Sequence, residues 1–174
     1  MSSDLVLRPA TMADAPALAR LGRESFVSKF GHLYRPEDLA MLIEQSHSEP
    51  AARAALARQD YRCQLAEVDG QLAGYCRLVL ACGWPEHARG QSVIELKQLY
   101  TDPARTGQGI GAVLMDWALA EAHDQGADEV QLSVYSENPG AQKFYARYGF
   151  AKVADTVFMV GDQADHEFLF AKLL

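Results

Sequence analysis

A mixed β-sheet covered by helices on both faces is the fold class that this sequence predicts, and three features carry the prediction. The periodic runs come in the order strand, two or three helices, three strands, helix, strand, helix and two strands, so the two kinds of element are interleaved. Asp69-Gly70-Gln71 separates two β-type runs, a strong signal for an antiparallel hairpin. Between about Val93 and Tyr135, a strand, a glycine-rich loop, an amphipathic helix and a second strand make one parallel crossover, a connection that is right-handed almost without exception. With 174 residues and 49% hydrophobic content, the chain is sized for one compact domain, residues 1–174.

Leu5-Val6-Leu7-Arg8 opens the chain as a strand. Thr11-Met12-Ala13-Asp14 then leads into a helical run to about Phe30, with Thr11 or Asp14 as its cap and Leu18, Leu21, Ser25, Phe26 and Phe30 near helical spacing. A second helix starts at Pro36, a residue suited to a first turn, and a third spans residues 50–58. The loop Gly31-His32-Leu33-Tyr34 is either plain scaffold or the lining of a cleft. Residues 61–68 and 72–80 form the hairpin, and residues 81–91, with Trp84, form the loop that follows. Ile110, Val113, Leu114, Trp117 and Ala118 share one apolar helix face that packs on a sheet, and Gly126 ends that helix. Residues 130–135 are a strand, Asn138-Pro139 opens a helix ending at Gly149, and residues 150–160 and 167–173 are the closing strands.

The chain is organised around residues 94–111. Apolar residues fall at Ile94 and Leu96 and next at Leu99, so the alternation of the strand changes phase. A β-bulge explains the shift and frees backbone NH and CO groups for a ligand; a plain edge strand with one polar intruder is the other reading. Beyond Asp102-Pro103, Gly107, Gly109 and Gly111 carry the backbone into a helix through a loop almost free of side chains. The first turn of a helix has NH groups without intrahelical partners, lies at the positive end of the dipole and, with glycine present, admits a diphosphate. Thr106, Gly107, Gln108, Gly109, Ile110, Gly111 and Ala112 are therefore candidate contacts of a phosphorylated ligand. Gly107 to Ala112 also fits the loose dinucleotide fingerprint. In that fold, however, the first glycine follows its strand almost at once, whereas Thr101 to Arg105 intervene here and only one further helix remains. No Gly-Lys-Ser/Thr follows, which excludes a P-loop.

A net charge of −7 argues against nucleic acid as a partner and permits a cationic substrate. Cys63, Cys76 and Cys82 form no metal-like pairs, and an odd number of cysteines without a signal peptide suggests reduced thiols in the cytoplasm. No apolar run approaches the ~20 residues that span a bilayer. His32, His47, His87, His123 and His166 lack ligand spacing, and Asp162, Asp165, His166 and Glu167 read as a solvated hairpin tip, so no metal is expected. A homodimer is compatible with these features.

Residues 106–111, Thr-Gly-Gln-Gly-Ile-Gly, resemble the acetyl-coenzyme A loop of the GNAT family of N-acetyltransferases, whose pattern is Gln/Arg-x-x-Gly-x-Gly/Ala. The resemblance extends to Asn138-x-x-Ala141-x-x-Phe144-Tyr145-x-x-x-Gly149-Phe150, similar to that family's second motif and at the expected distance. Thr106 departs from the Gln or Arg usual at the first position, with Arg105 one place earlier. Residues 158–162 and 170–174, with Glu95 to Tyr100, look most like the PaiA-type polyamine acetyltransferases. The resemblance implies an α/β (α+β) fold whose mixed, mostly antiparallel sheet of about seven strands parts between its fourth and fifth strands. It implies acetyl-coenzyme A as co-substrate, held by Leu99, Tyr100, Thr101, the glycine loop, Asn138, Ala141, Phe144 and Tyr145.

The chemistry follows. An amine attacks the thioester directly, so the protein must deliver it neutral, stabilise an oxyanion and protonate a thiolate. The NH near Leu99 would polarise the carbonyl. Tyr145 occupies the position of the general acid in many family members, or else is a core aromatic beside Phe144. Glu95 is the candidate base, directly or through water, or else a solvated carboxylate paired with Lys97. The acceptor implied is a small primary amine, a polyamine such as spermidine or spermine. Another amine, a non-catalytic acyl-coenzyme A sensor and an NAD-binding module are the alternatives.

Overall fold

The computed structural model describes residues 4–174. Its elements are β1 (Leu5–Pro9), α1 (Ala15–Phe30), α2 (Pro36–Ser46), α3 (Glu49–Ala57), β2 (Tyr61–Val68), β3 (Gln71–Val79), β4 (Val93–Thr101), α4 (Ile110–Asp124), β5 (Glu129–Tyr135), α5 (Pro139–Arg147), β6 (Ala151–Val160) and β7 (Gln163–Leu173). The strands form one sheet in the order β1-β2-β3-β4-β5-β7-β6. Every neighbouring pair is antiparallel except β4–β5, the parallel crossover that the sequence predicts.

Local chemistry explains the junctions. Asp69 and Gly70 take φ values of 52° and 76°, the left-handed pair that a two-residue hairpin between β2 and β3 demands. Thr11 and Asp14 form a capping box before α1, and the Asp14 carboxylate also receives both terminal nitrogens of Arg8 at 2.9 and 2.8 Å. α3 begins at Glu49, one residue before the expected start, because Ser48 caps it by accepting from the Ala51 NH at 3.2 Å.

The helices lie on opposite faces. Ile110, Leu114, Met115, Ala118 and Ala122 of α4 are buried against Ala66, Cys76, Leu78, Leu96 and Val130 of the sheet. On the other face, Ala15, Leu18 and Leu21 of α1 and Ala52 of α3 close over Leu65 and Tyr75. At Gly74 of β3 the contact with α4 is tight: an added Cβ would stand 2.8 Å from Ile110 Cγ2 and 2.9 Å from the Tyr100 carbonyl oxygen.

The sheet is closed at one end of the β4–β5 pair and open at the other. Val93, Ile94 and Glu95 pair with Glu129, Val130 and Gln131, and there the pairing stops. The closed end is clamped by the loop at residues 81–91: the fully buried Glu129 accepts the Arg89 and Gly90 NH groups, both at 2.9 Å, and Gln131 accepts from the Trp84 NH at 3.2 Å. Beyond Glu95, β4 contains the bulge expected between Leu96 and Leu99. Leu96 pairs with Leu78 and Gln98 with Arg77, which leaves Lys97 as the extra residue.

The closing hairpin corrects the sequence reading. β7 starts at Gln163 rather than near Glu167, and the tip is only Gly161-Asp162. Asp165 is not solvated but 5% exposed, because the Tyr34 hydroxyl donates to its carboxylate. A chain separation of 131 residues hides that partner from any local pattern.

Gly74→Val should destabilise the fold by about 1–3 kcal/mol, the cost of overpacking a tight contact, measured as a lower urea midpoint at unchanged slope.

Candidate functional site

Two cavities meet where β4 and β5 part. An outer cleft of about 620 Å³ runs between the glycine loop and α5. An inner pocket of about 300 Å³ lies beneath α1 and α2, on the face of the sheet opposite α4. Leu99, Tyr135, Asn138, Ala141 and Tyr145, with Lys29 and Phe30 of α1, line both and so mark the junction.

The outer cleft gathers most of the residues singled out in the sequence. Thr101, Thr106, Gly111 and Phe144 line it with the junction residues. Gly107 and Gly109 have φ values of 83° and 79°, and no heavy atom stands within 4 Å of where a Cβ would be, so the loop is open to a bulky ligand on that side. Among the described residues, the NH groups of residues 107–112 have no hydrogen-bond partner; the first that does is Val113, which donates to the Gly109 carbonyl at 3.2 Å. That bare row of donors at a helix start fits a diphosphate. The Thr106 hydroxyl is turned to the Pro103 carbonyl at 3.1 Å, while the Ile110 side chain is core and leaves only its backbone for a ligand.

Backbone direction places Leu99 in the gap. Asp102 donates its NH to Ala73 of β3, and the Thr101 carbonyl faces away from β3 to accept from Ser25 Oγ at 2.8 Å. Polar groups of successive strand residues alternate in side, so Leu99 turns its NH the same way as Thr101. Of the three β4 residues expected to contact the coenzyme, Leu99 and Thr101 line the outer cleft and Tyr100 does not. Its side chain lies in the inner pocket, edge-on to Tyr75 at 5.6 Å, because the bulge puts Gln98 and Tyr100 on the α1 face.

On α5, Asn138 Oδ1 accepts from the Ala141 NH at 3.2 Å, which caps the helix and leaves the amide nitrogen beside both cavities. The Tyr145 ring packs on Phe144 and Phe150, and burial pushes its hydroxyl well above the ordinary phenol range, with Cys76 and Tyr100 adding to the shift. A phenol so placed stays protonated at neutral pH and is available as a donor.

The inner pocket contains groups that sequence reasoning passed over. Glu95 lines it, as expected of the candidate base, but stands 3.7 Å from Lys97 Nζ and lies under Gly83. Asp165, Glu167 and Ser133 also line it. Burial raises the pKa of Glu167, as does the nearby Asp165, while Ser133 and Lys97 act against them. Burial first, and then Arg77, push His47 down to about 4, so it is neutral at physiological pH. Lys29, a single lysine on a helix in sequence terms, has its pKa lowered by burial at the junction. Of residues 31–34, His32 and Leu33 line the outer cleft and Tyr34 the inner pocket, and Trp84 reaches the inner pocket too. No cluster of potential metal ligands occurs among the described residues.

A cleft with a row of free NH donors, a parted strand pair and a buried phenol is equipped for acyl transfer from a phosphorylated carrier. The sequence pattern of the Acetyltransferase (GNAT) family matches residues 23–150, and the chain belongs to that family. It is 32% identical over 166 residues to an uncharacterised N-acetyltransferase of Mycobacterium tuberculosis, covering 94% of this chain and 99% of that one. It is 27% identical over 165 residues to an uncharacterised N-acetyltransferase of Lactobacillus delbrueckii subsp. lactis, covering 92% of each. Its fold is similar to that of the PaiA N-acetyltransferase from Thermoplasma acidophilum in complex with coenzyme A, with a TM-score of 0.80 and 24% identity over 98% of this chain and 99% of the other. The protein is thus an N-acetyltransferase with acetyl-coenzyme A as its co-substrate.

Gly109→Val should weaken acetyl-coenzyme A binding by more than tenfold in calorimetry, while the strain of a side chain in the left-handed backbone at this position costs the fold about 1–2 kcal/mol.

Proposed function

We propose that this acetyltransferase acts in the cytoplasm on a small polyamine, transferring the acetyl group to a primary amine by direct attack. The observation that carries the reading is the inner pocket, in which three carboxylates, Glu95, Asp165 and Glu167, line the space next to the coenzyme cleft. Buried carboxylates favour a cation that replaces their lost hydration. The aromatic rings of Phe26, Phe30, Tyr34 and Phe158 in the same lining suit the methylene segments of such a molecule. The fold shared with the Thermoplasma PaiA enzyme accords with the PaiA-like closing segments.

The residues divide the chemistry. The NH groups of the glycine loop and of the first turn of α4 bind the diphosphate, and the Asn138 amide bonds the pantetheine arm. The backbone NH of Leu99 faces the gap, where the thioester carbonyl develops negative charge, and being fixed in a strand it needs no reorganisation. The departing thiolate receives the proton of Tyr145. A carboxylate of the inner pocket takes a proton from the acceptor, because an ammonium has no lone pair with which to attack.

The test is thiol release across a panel of amines with purified protein. Spermidine and spermine should be acetylated, and the specificity constant for spermidine should fall as ionic strength rises, since long-range attraction to an acidic protein is screened. Thiol release with a neutral or acidic acceptor but not with polyamines would refute the polyamine reading and leave the acetyltransferase standing. Tyr145→Phe should keep coenzyme affinity and lower turnover about 10- to 1000-fold. Unchanged turnover would make Tyr145 a packing residue.

A further inference from the structure

Strand register separates the carboxylates of the inner pocket by depth. Glu95 pairs with Gln131 at the last rung of the β4–β5 ladder. Leu99, once the bulged Lys97 is discounted, stands level with Val134, next to Tyr135. Tyr135 is directly opposite Glu167 on β7, and directly paired residues project on the same face. Glu167 therefore lies at the level of the gap where the thioester carbonyl would be, whereas Glu95 is about 10 Å deeper at ~3.3 Å per residue. Glu95 is also roofed by Gly83, whose added Cβ would stand 3.2 Å from its carboxylate, and is paired with Lys97.

We propose that Glu167 is the base that takes the proton from the reacting ammonium, and that Glu95 faces the remote end of the acceptor. The assignment rests on the inner pocket being the acceptor site. A base must come within hydrogen-bond reach of the proton, directly or through one water, and the register gives that reach to Glu167 and denies it to Glu95. The same depth gives an extended polyamine a second carboxylate at its far charge.

The step balances simply. One proton passes from the ammonium nitrogen to a Glu167 oxygen, and the freed lone pair forms the C–N bond at the thioester carbon. As the C–S bond breaks, the electron pair leaves on sulfur, which is protonated by Tyr145. The second proton on nitrogen restores the phenol through solvent, and Glu167 returns its own proton to solvent.

The groups facing Glu167 are known from each neighbouring element. β7 brings Asp165, β5 brings Ser133 and Tyr135, and β6 brings only the uncharged Thr156. β4 contributes Lys97 and Tyr100, α1 contributes Lys29, and beyond α1 come Tyr34 and the neutral His47. Burial and Asp165 raise the Glu167 pKa, so its proton-accepting form grows as pH rises toward neutrality.

The experiment measures pH profiles of kcat/KM for wild type, Glu167→Gln, Glu95→Gln and Asp165→Asn, using any amine that the wild type accepts. That choice keeps the test separate from the polyamine reading, which fails or stands on the amine panel alone. Glu167→Gln should lower kcat about 100-fold at neutral pH without changing coenzyme affinity, abolish the acidic limb and leave a rate that climbs with the free amine alone. Asp165→Asn should move the acidic limb to lower pH, because it removes a negative charge two residues away on the same face of β7, and it answers the question if Glu167→Gln does not fold. Glu95→Gln should keep the limb and raise KM more for a long polyamine than for a short diamine. The proposal is overturned if Glu95→Gln abolishes the limb, if Glu167→Gln retains it, or if Asp165→Asn leaves it in place.

Discussion

The parting of β4 from β5 is the constraint on which the rest of this structure depends. Hydrogen bonding between them ends at Glu95 and Gln131, and the bulge at Lys97 then turns the remainder of β4 so that Leu99 and Thr101 aim their polar groups into the gap. An open ladder inside a sheet normally strands polar groups, and here neighbouring elements satisfy some of them: Ser25 of α1 bonds the Thr101 carbonyl. What is left over is a slot lined by backbone. A ligand that inserts there completes the sheet, and its reacting end is held by groups whose positions the fold has already set.

The closed end keeps the opening from propagating. Glu129 and Gln131 are fully buried, and both spend their side chains on the loop at residues 81–91, which ties that loop across the foot of the two strands. Glu129 retains one oxygen with no partner, a cost accepted inside a clamp whose other bonds are short and charge-assisted. Gly83 belongs to the same loop and seals the space over Glu95. The pocket thus has a sealed floor beside Glu95 and a mouth beside Lys29 and Tyr135, which is why depth distinguishes its carboxylates.

The two cavities differ in the kind of chemistry that lines them. The outer cleft presents backbone donors at a helix start and suits a polyanion. The inner pocket mixes carboxylates with aromatic rings and suits a cation with an apolar body. At the junction, burial pushes the Tyr145 phenol up and the Lys29 ammonium down, in each case toward the neutral form.

The sequence by itself determined the elements, the hairpin at Asp69-Gly70, the bulge between Leu96 and Leu99, and the outer cleft, because each is written in neighbouring residues: period, turn chemistry, glycine spacing. Gly107, Gly109, Asn138 and Tyr145 were legible for that reason. The inner pocket was not. Asp165 finds Tyr34 across 131 residues, and Glu167 meets Ser133 and Tyr135 only through the β5–β7 pairing. Tyr100 turned away from the coenzyme cleft because a one-residue bulge switches every later side chain to the other face. Depth along a strand pair depends on register, and register is decided when separate strands dock, so only the tertiary structure could say which carboxylate stands beside the gap.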